Sequence, residues 1–492
     1  MRRLVLLLAA LLVAAPGDTL TGIVVDAADQ PVEGARVRLR ASPSFVLTDA
    51  EGHFALADPA IAPDAEITAA RPGHLIGGAI VKSGISAYRI QLPAIPAGDD
   101  PTYPWVTAFP EDDQAPRTDF GREPCGACHR RALAEWRESA HARSATNPRF
   151  LGFLDGGHRL GAGTPKVEGC GTCHVPMAPT EDPGKLAGIA REGVGCDFCH
   201  KIAEAKPGAG KGTGAEAVEL RRPPFGRQTV FGPFDDVPRG RDAFAPVFAE
   251  SRYCAACHQA RSGAVAVYSE FEEWQASRYA AAGMTCQSCH MRGNGKATMM
   301  TELGPGRIAR DAATLSSHRF HDSRSPDLLA DAVDTAMTTH RDGDALVVSV
   351  EIANRGAGHH LPAGSPMRHM LLSLTAEAEG RPLDLVEGPT LPSWAGGTLA
   401  GRPGRAYAKI LHEASGDGHP ALPWAGASQA TDTRIPAGAR DRTTFRFSLP
   451  GSGQVRIEAR LLIRRSFPAW AEALSLDMAE ITVVLRQATF SY

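Results

Sequence analysis

All ten cysteines of the chain fall in five short stretches of one form, Cys-x-x-Cys-His. They are Cys125, Cys128 and His129; Cys170, Cys173 and His174; Cys196, Cys199 and His200; Cys254, Cys257 and His258; and Cys286, Cys289 and His290. A chance match is expected on the order of 10⁻² times per chain, so five that use every cysteine are not accidental. Two thiols three positions apart on one tight turn can add to the two vinyl groups of a haem as thioethers, and the adjacent imidazole then reaches the iron from the same side. A thioredoxin-like redox pair has no use for the histidine, and a zinc site would need two pairs brought together with no fixed histidine rule. The spacing therefore predicts five covalently bound haem c groups, with the five motif histidines as proximal iron ligands.

What fills the sixth position of each iron separates a carrier from an enzyme. A second imidazole closes the coordination sphere and favours outer-sphere electron transfer, whereas a free position admits a substrate. The chain has 17 histidines, so 17 − 5 = 12 remain for that role. His141 is the first candidate: if Arg130 to Ala145 forms one helix, it lies roughly 18 Å along the axis from His129 and must cap a neighbouring haem. His318 and His321 follow the last motif closely, with His318 favoured. Of the adjacent His359 and His360, on a Gly-rich loop after an expected strand, at most one can serve an iron. His158 and His340 are weaker candidates; His53, His74, His369, His412 and His419 read as structural or exposed. No residue is singled out as catalytic.

Several kinds of element must hold these groups. Thr19 to about Leu92 alternates short β-type runs (Gly22 to Val25, Ala35 to Leu39, Thr48 to Phe54) with turns, as a small β-sandwich would. Proline-rich sequence follows, read as a stiff linker over 94–117. The motifs occupy 118–330, where their irregular intervals exclude a tandem array. One local repeat stands out: Glu135-Trp136-x-x-Ser139-x-His141 matches Glu273-Trp274-x-x-Ser277-x-Tyr279, both as helical segments. From 331 to 492 strands are expected again, including Ala345 to Ile352, Met370 to Thr375, Thr444 to Leu449, Val455 to Arg464 and Ile481 to Arg486. The expected fold class is thus multidomain: a β-sandwich over 18–93, a mostly α and irregular pentahaem core, and a C-terminal β-sandwich.

Composition agrees. Fifty-one glycines and 37 prolines imply much turn and loop, for which covalently held porphyrins would provide the missing apolar core. The net charge of −3 gives no reason to expect nucleic-acid binding. Residues 1–17, with Arg2, Arg3 and the apolar run Leu4 to Ala15, read as a signal peptide, and no segment reaches the roughly 20 apolar residues of a spanning helix. A soluble protein, exported to the periplasm or cell surface, is expected.

Two resemblances add to this. The pattern Gly-x-Val-x-Asp, a turn with Pro, Val-x-Gly-Ala-x-Val-x-Leu and Thr-Asp-x-x-Gly-x-Phe in the first 93 residues resembles the carboxypeptidase-regulatory-like domain, an accessory fold. The haem motifs, with Trp136-x-x-Ser139-x-His141, Gly193-Val194-Gly195 before Cys196, Lys201 after His200, Tyr253 before Cys254 and Trp274-x-x-Ser277, resemble multihaem c-type cytochromes related to the tetrahaem carrier that takes electrons from hydroxylamine oxidoreductase. That resemblance, over roughly 118–370, implies closely spaced and mostly bis-His haems, His141 and His318 as distal ligands, and the Gly358-His359 loop as the mark of an appended domain. Relatives carry a histidine between a Gly-Pro-aromatic turn and the fourth motif; Gly232-Pro233-Phe234 to Tyr253 has none.

The function expected is relay of single electrons between redox partner proteins, in the periplasm or in a membrane-associated or surface complex. Two alternatives stand beside it. One is an oxidoreductase acting on a small nitrogen or sulfur compound at one open haem, with Tyr279, Lys201 or an unused histidine nearby as proton donor. The other is a subunit of an extracellular haem conduit.

Overall fold

The computed structural model describes residues 19–492 apart from 111–122, 160–166, 179–185, 209–211, 225–226, 263, 294, 297, 302–307, 413–419, 422–427 and 477–479. The expected signal peptide and His419 lie outside the described residues, as does the side chain of His158.

The chain begins with β-sheets. Strands His53–Ala57, Thr19–Val25 and Ala87–Gln91 form one, and Val46–Leu47, Arg36–Leu39, Glu66–Ala70 and Gly77–Ile80 the other. Alternate residues point inward, as in His53–Ala57 where Phe54 and Leu56 are buried. They meet Val24, Val37, Ile67 and Ile90 in one core between the sheets. These sheets do not stand away from the rest. Asp235 receives Arg38 at 2.8 Å, and the buried Asp236 accepts from the Ala41 N–H at 2.7 Å and from both Arg310 terminal nitrogens at 2.6 and 2.8 Å.

The described residues of the proline-rich stretch form no helix or strand, yet they are packed on the motif-bearing region. Tyr103 and Ala108 are buried, the Val106 N–H bonds Asp197 at 2.8 Å, and the Thr107 carbonyl accepts from Cys125 at 3.1 Å.

From 124 to about 300 the chain is helical and irregular, with short helices at every motif: Cys125–Cys128, Val167–His174, Cys196–Cys199, Arg252–His258 and Cys286–His290. One helical turn sets residues i and i+3 side by side, which is the placement the paired thiols need. Thr285 caps the last of these helices by accepting from the Ser288 N–H. The helix expected over Arg130 to Ala145 is shorter: it spans Arg130–Glu138 and stops at Ser139, whose backbone is extended. His141 therefore sits in a turn, not on that helix.

The C-terminal part is again β. Val333–Asp342, Ala345–Asn354, Arg440–Ser448 and Leu385–Glu387 make one sheet. Gln429–Asp432, Gly404–His412, His369–Ala378, Gln454–Arg464 and Glu480–Ser491 make the second, with Arg381–Pro382 paired on His369–Ala378. The long pairs are antiparallel, with Val350 opposite Thr443 and Leu374 opposite Ala459. Val348, Ile352, Leu372, Leu374, Phe445 and Ile457 fill the space between the sheets. Among the described residues no helix is long and apolar enough to cross a membrane.

Candidate haem centres

The motif thiols are not joined as disulfides; all ten cysteines are free. They gather between motifs. Cys125 lies against Cys196, Cys173 against Cys257, and Cys254 against Cys286, each pair within hydrogen-bonding contact. Cys199 lies close to both Cys254 and Cys257, and the Tyr253 hydroxyl donates to its carbonyl at 3.0 Å. The five motifs thus touch in the order 1–3–4, with motifs 2 and 5 both against motif 4.

The motif imidazoles are prepared as metal ligands by their backbone neighbours. Nδ1 of His129 meets the Met300 carbonyl at 3.0 Å, that of His174 the Ser144 carbonyl at 3.2 Å, that of His200 the Phe231 carbonyl at 2.6 Å and that of His290 the His321 carbonyl at 2.6 Å. A carbonyl only accepts, so each Nδ1 carries the proton and Nε2 keeps its lone pair, the usual state of a metal-bound histidine. Burial lowers the pKa of His174, His200, His258 and His290, which keeps them neutral.

Two further imidazoles face motif histidines. The rings of His141 and His258 have centroids 6.4 Å apart, and those of His290 and His359 are 6.2 Å apart. With a metal–nitrogen bond of about 2.0 Å on each side and each centroid about 1.15 Å behind its nitrogen, two imidazoles on opposite faces of one iron stand about 6.3 Å apart. Both pairs have room for an iron, and the residues fit haem. Burial, then the His258 imidazole, brings the pKa of His141 down to about 3. His318 is brought to about 4 by burial and then by His200, and its Nδ1 is buried with no partner among the described residues.

Other histidines lie elsewhere. His340 is exposed on the edge strand Val333–Asp342. His321 offers its carbonyl to His290 and its ring to the Ser325 hydroxyl at 3.4 Å. His360 faces Glu273 and Asp432, both of which hold Arg434. His369 is fully buried, stacked on Phe467 at 4.8 Å and edge-on to Trp394 at 5.2 Å. His53 is exposed and His412 bonds Thr431 at 2.9 Å. Lys201 is wholly buried, paired with Asp197 at 2.5 Å and lying 5.3 Å from the Tyr103 ring centre; the Tyr279 hydroxyl donates to the Arg355 carbonyl.

Sequence reading did not find the residues that aim the imidazoles. Glu135 accepts from the His318 N–H at 2.8 Å and the Ser317 hydroxyl at 3.2 Å, and Glu273 accepts from the His360 N–H at 2.9 Å. Their signal was the Glu-Trp-x-x-Ser repeat itself. Nor did it find a cationic cluster of Arg149, Arg324, Arg368 and Arg465 around Asp322. Burial and then Arg368 lower the pKa of Arg465 against the pull of Asp322, with Arg324 and Arg149 adding to the repulsion. Arg324 pairs with Asp322 at 2.7 Å, and Arg465 Nε is buried without a partner among the described residues.

Comparison with known proteins agrees with this chemistry. Residues 124–201 match the family model described as cytochrome c554 and c-prime. The fold is similar to that of a penta-heme cytochrome c552 from Thermochromatium tepidum, with 21% identity and a TM-score of 0.54, over 74% of this chain and 97% of that one. The ASH / PapD-like domain 7 of human CEP192 aligns over 33% of this chain and 84% of its own, at 11% identity and a TM-score of 0.14, too slight a likeness to use. No curated protein matches. The chain therefore contains a region of c-type cytochrome character, with several haem c sites indicated by its paired cysteines and by this fold.

Proposed function

We propose that the protein is an exported pentahaem c-type cytochrome that relays single electrons between partner proteins and carries out no substrate chemistry of its own. The observation that carries this reading is the imidazole pairing: His141 with His258 and His359 with His290 stand at the separation of two axial ligands of one iron. Bound haem would supply a one-electron Fe(III)/Fe(II) couple with little movement on reduction. The ten motif cysteines would hold the five porphyrins, and the five motif histidines would be the proximal ligands.

The chain's own residues serve this role in three ways. Backbone carbonyls at Met300, Ser144, Phe231 and His321 fix ring orientation and tautomer. The arginines around Asp322 bring several positive charges close together, suited to haem propionates. His141 belongs to the segment after motif 1 and faces motif 4, while His359 brings the C-terminal sheets onto motif 5, so both tie separate parts of the chain together. The contact order makes motif 4 a junction between a 1–3 arm and motifs 2 and 5. The two β regions, the first of them a carboxypeptidase-regulatory-like module, act as accessory sandwiches that cover haem edges and present docking surfaces.

The test is the haem content of the protein expressed with a haem-ligation system, by pyridine haemochrome and intact mass. Five covalent haems per chain are expected; fewer, with free thiols remaining, would overturn the reading.

A further inference from the structure

The repeat Glu135-Trp136-x-x-Ser139 and Glu273-Trp274-x-x-Ser277 makes the same set of contacts twice. Each tryptophan indole donates to the carbonyl two residues before a later motif: Trp136 to Val194 at 2.9 Å, ahead of Cys196, and Trp274 to Met284 at 2.8 Å, ahead of Cys286. Each serine N–H closes the helix on its tryptophan carbonyl at 2.9 Å. Each glutamate binds an arginine with one oxygen, Arg131 at 3.1 Å or Arg434 at 2.5 Å. Its other oxygen takes the backbone N–H of a histidine on a distant loop, His318 or His360. The first cysteines of the motifs joined in this way also touch, Cys125 with Cys196 and Cys254 with Cys286.

The serine contacts and the Arg131 pair are local, but the glutamate-to-loop bonds are long-range and owe nothing to sequence proximity. The glutamate to loop bond spans 183 residues in the first case and 87 in the second. In between, motif 2 and its surroundings separate Trp136 from Cys196, whereas only a short stretch with the helix Arg278–Ala281 separates Trp274 from Cys286. The same contacts survive despite these different insertions.

Resting on the haem reading above, we infer that the chain contains two equivalent two-haem units, motifs 1 with 3 and motifs 4 with 5, in which Glu135 and Glu273 are positioning residues for a distal histidine. In the second unit the clamped loop presents His359 to the second motif of its pair, His290. The equivalence assigns His318 to the iron held by His200, the second motif of the first pair, and not to that of His129. Within the clamped loops the difference is a shift of a single residue: the bound N–H belongs to His318 itself but to the neighbour of His359. Gly358 permits this shift, because a Cβ there would come within 3.1 Å of the Trp274 ring.

The position five residues after each tryptophan then distinguishes the units. In the first it is His141, which reaches across to His258 and joins one unit to the next. In the second it is Tyr279, whose hydroxyl donates to the Arg355 carbonyl and fastens the C-terminal sheets. The first unit has an onward ligand; the second ends on protein.

The test compares holoproteins carrying Glu135→Leu, Glu135→Gln, Glu273→Leu and Glu273→Gln by low-temperature EPR, with haem content measured on each sample. Each Leu variant should convert about one iron per chain from low-spin to high-spin, while each Gln variant, which keeps an acceptor for the loop N–H, should retain the low-spin signal. Low-spin signals unchanged in both Leu variants at full haem loading would overturn the positioning role. A structure of the wild-type holoprotein decides the assignment whether or not the Leu variants fold: His318 Nε2 on the iron of His200 supports it, and on the iron of His129 refutes it. A haem count below five would instead be a failure of the underlying haem reading.

Discussion

Replacing Asp197 by Leu should destabilise the region around motif 3, and replacing Lys201 by Met at the same time should restore it. Lys201 is wholly buried and Asp197 nearly so, with Nζ 2.5 Å from Oδ1, while Oδ2 accepts the Val106 N–H at 2.8 Å. Removing the carboxylate alone leaves a buried ammonium without its anionic partner, beside the Tyr103 ring, and breaking such a pair costs about 3–5 kcal/mol. At roughly 2–4 °C per kcal/mol for a unit of this size, the thermal midpoint should fall by roughly 6–20 °C. The double variant removes both charges, and well-packed apolar replacement of a buried pair is commonly neutral, so most of the loss should return. The assay is thermal unfolding of the ferric holoprotein followed in the Soret region, as a double-mutant cycle. A double variant as unstable as Asp197→Leu, or an Asp197→Leu midpoint within about 1 °C of wild type, would refute the assignment of the pair as a coupled buried unit.

Three further outcomes follow from the same geometry. His359→Gly should leave one iron high-spin, and added imidazole should return it to low-spin, read by EPR and visible absorption; absence of any change would remove His359 from the ligand set. Burial works to raise the pKa of Glu273, but the Arg434 guanidinium, the Ser269 hydroxyl and the His360 N–H outweigh it, and Asp432 is likewise held low by His360 and Arg434. Carboxyl groups with depressed folded pKa contribute stability above their unfolded value of about 4 and lose it as pH falls, so the attachment of the C-terminal sheets to the second repeat helix should weaken below about pH 4; limited acid proteolysis would detect the release, and release only on alkalinisation would contradict it. Arg465→Gln should make reduction of one haem harder by about tenfold in equilibrium constant, about 59 mV for a one-electron couple, with Arg465→Lys close to wild type in spectroelectrochemistry.

What could be read from the sequence was the chemistry encoded in adjacent residues. A Cys-x-x-Cys-His stretch states its own attachment geometry within one helical turn, and the repeat around Trp136 and Trp274 could be seen by inspection. The length of the Arg130 helix was misjudged because Ser139 ends it through its extended backbone while His141 and Ala142 still look compatible with a helix. Strand Val333–Asp342 was missed since it is an edge strand that after Val333 alternates only between exposed and half-buried positions, the latter including Thr335 and Thr339, so apolar and polar residues do not alternate along it. Gly404–His412, with five residues in a row buried within it, carries no alternation either. Pairings such as His141 with His258 or Glu135 with His318 depend on how irregular chain is folded around haem sites that local sequence does not position. Local propensity has no access to them.

Low-temperature EPR of the fully oxidised, five-haem holoprotein, recorded with and without nitrite and hydroxylamine, tests the relay most directly. Low-spin signals are expected from the irons of motifs 3, 4 and 5 at least, and no iron should shift its signal on addition of either compound. A stoichiometric high-spin signal that moves when nitrite or hydroxylamine is added would make one haem a reaction centre and contradict the electron-carrier reading.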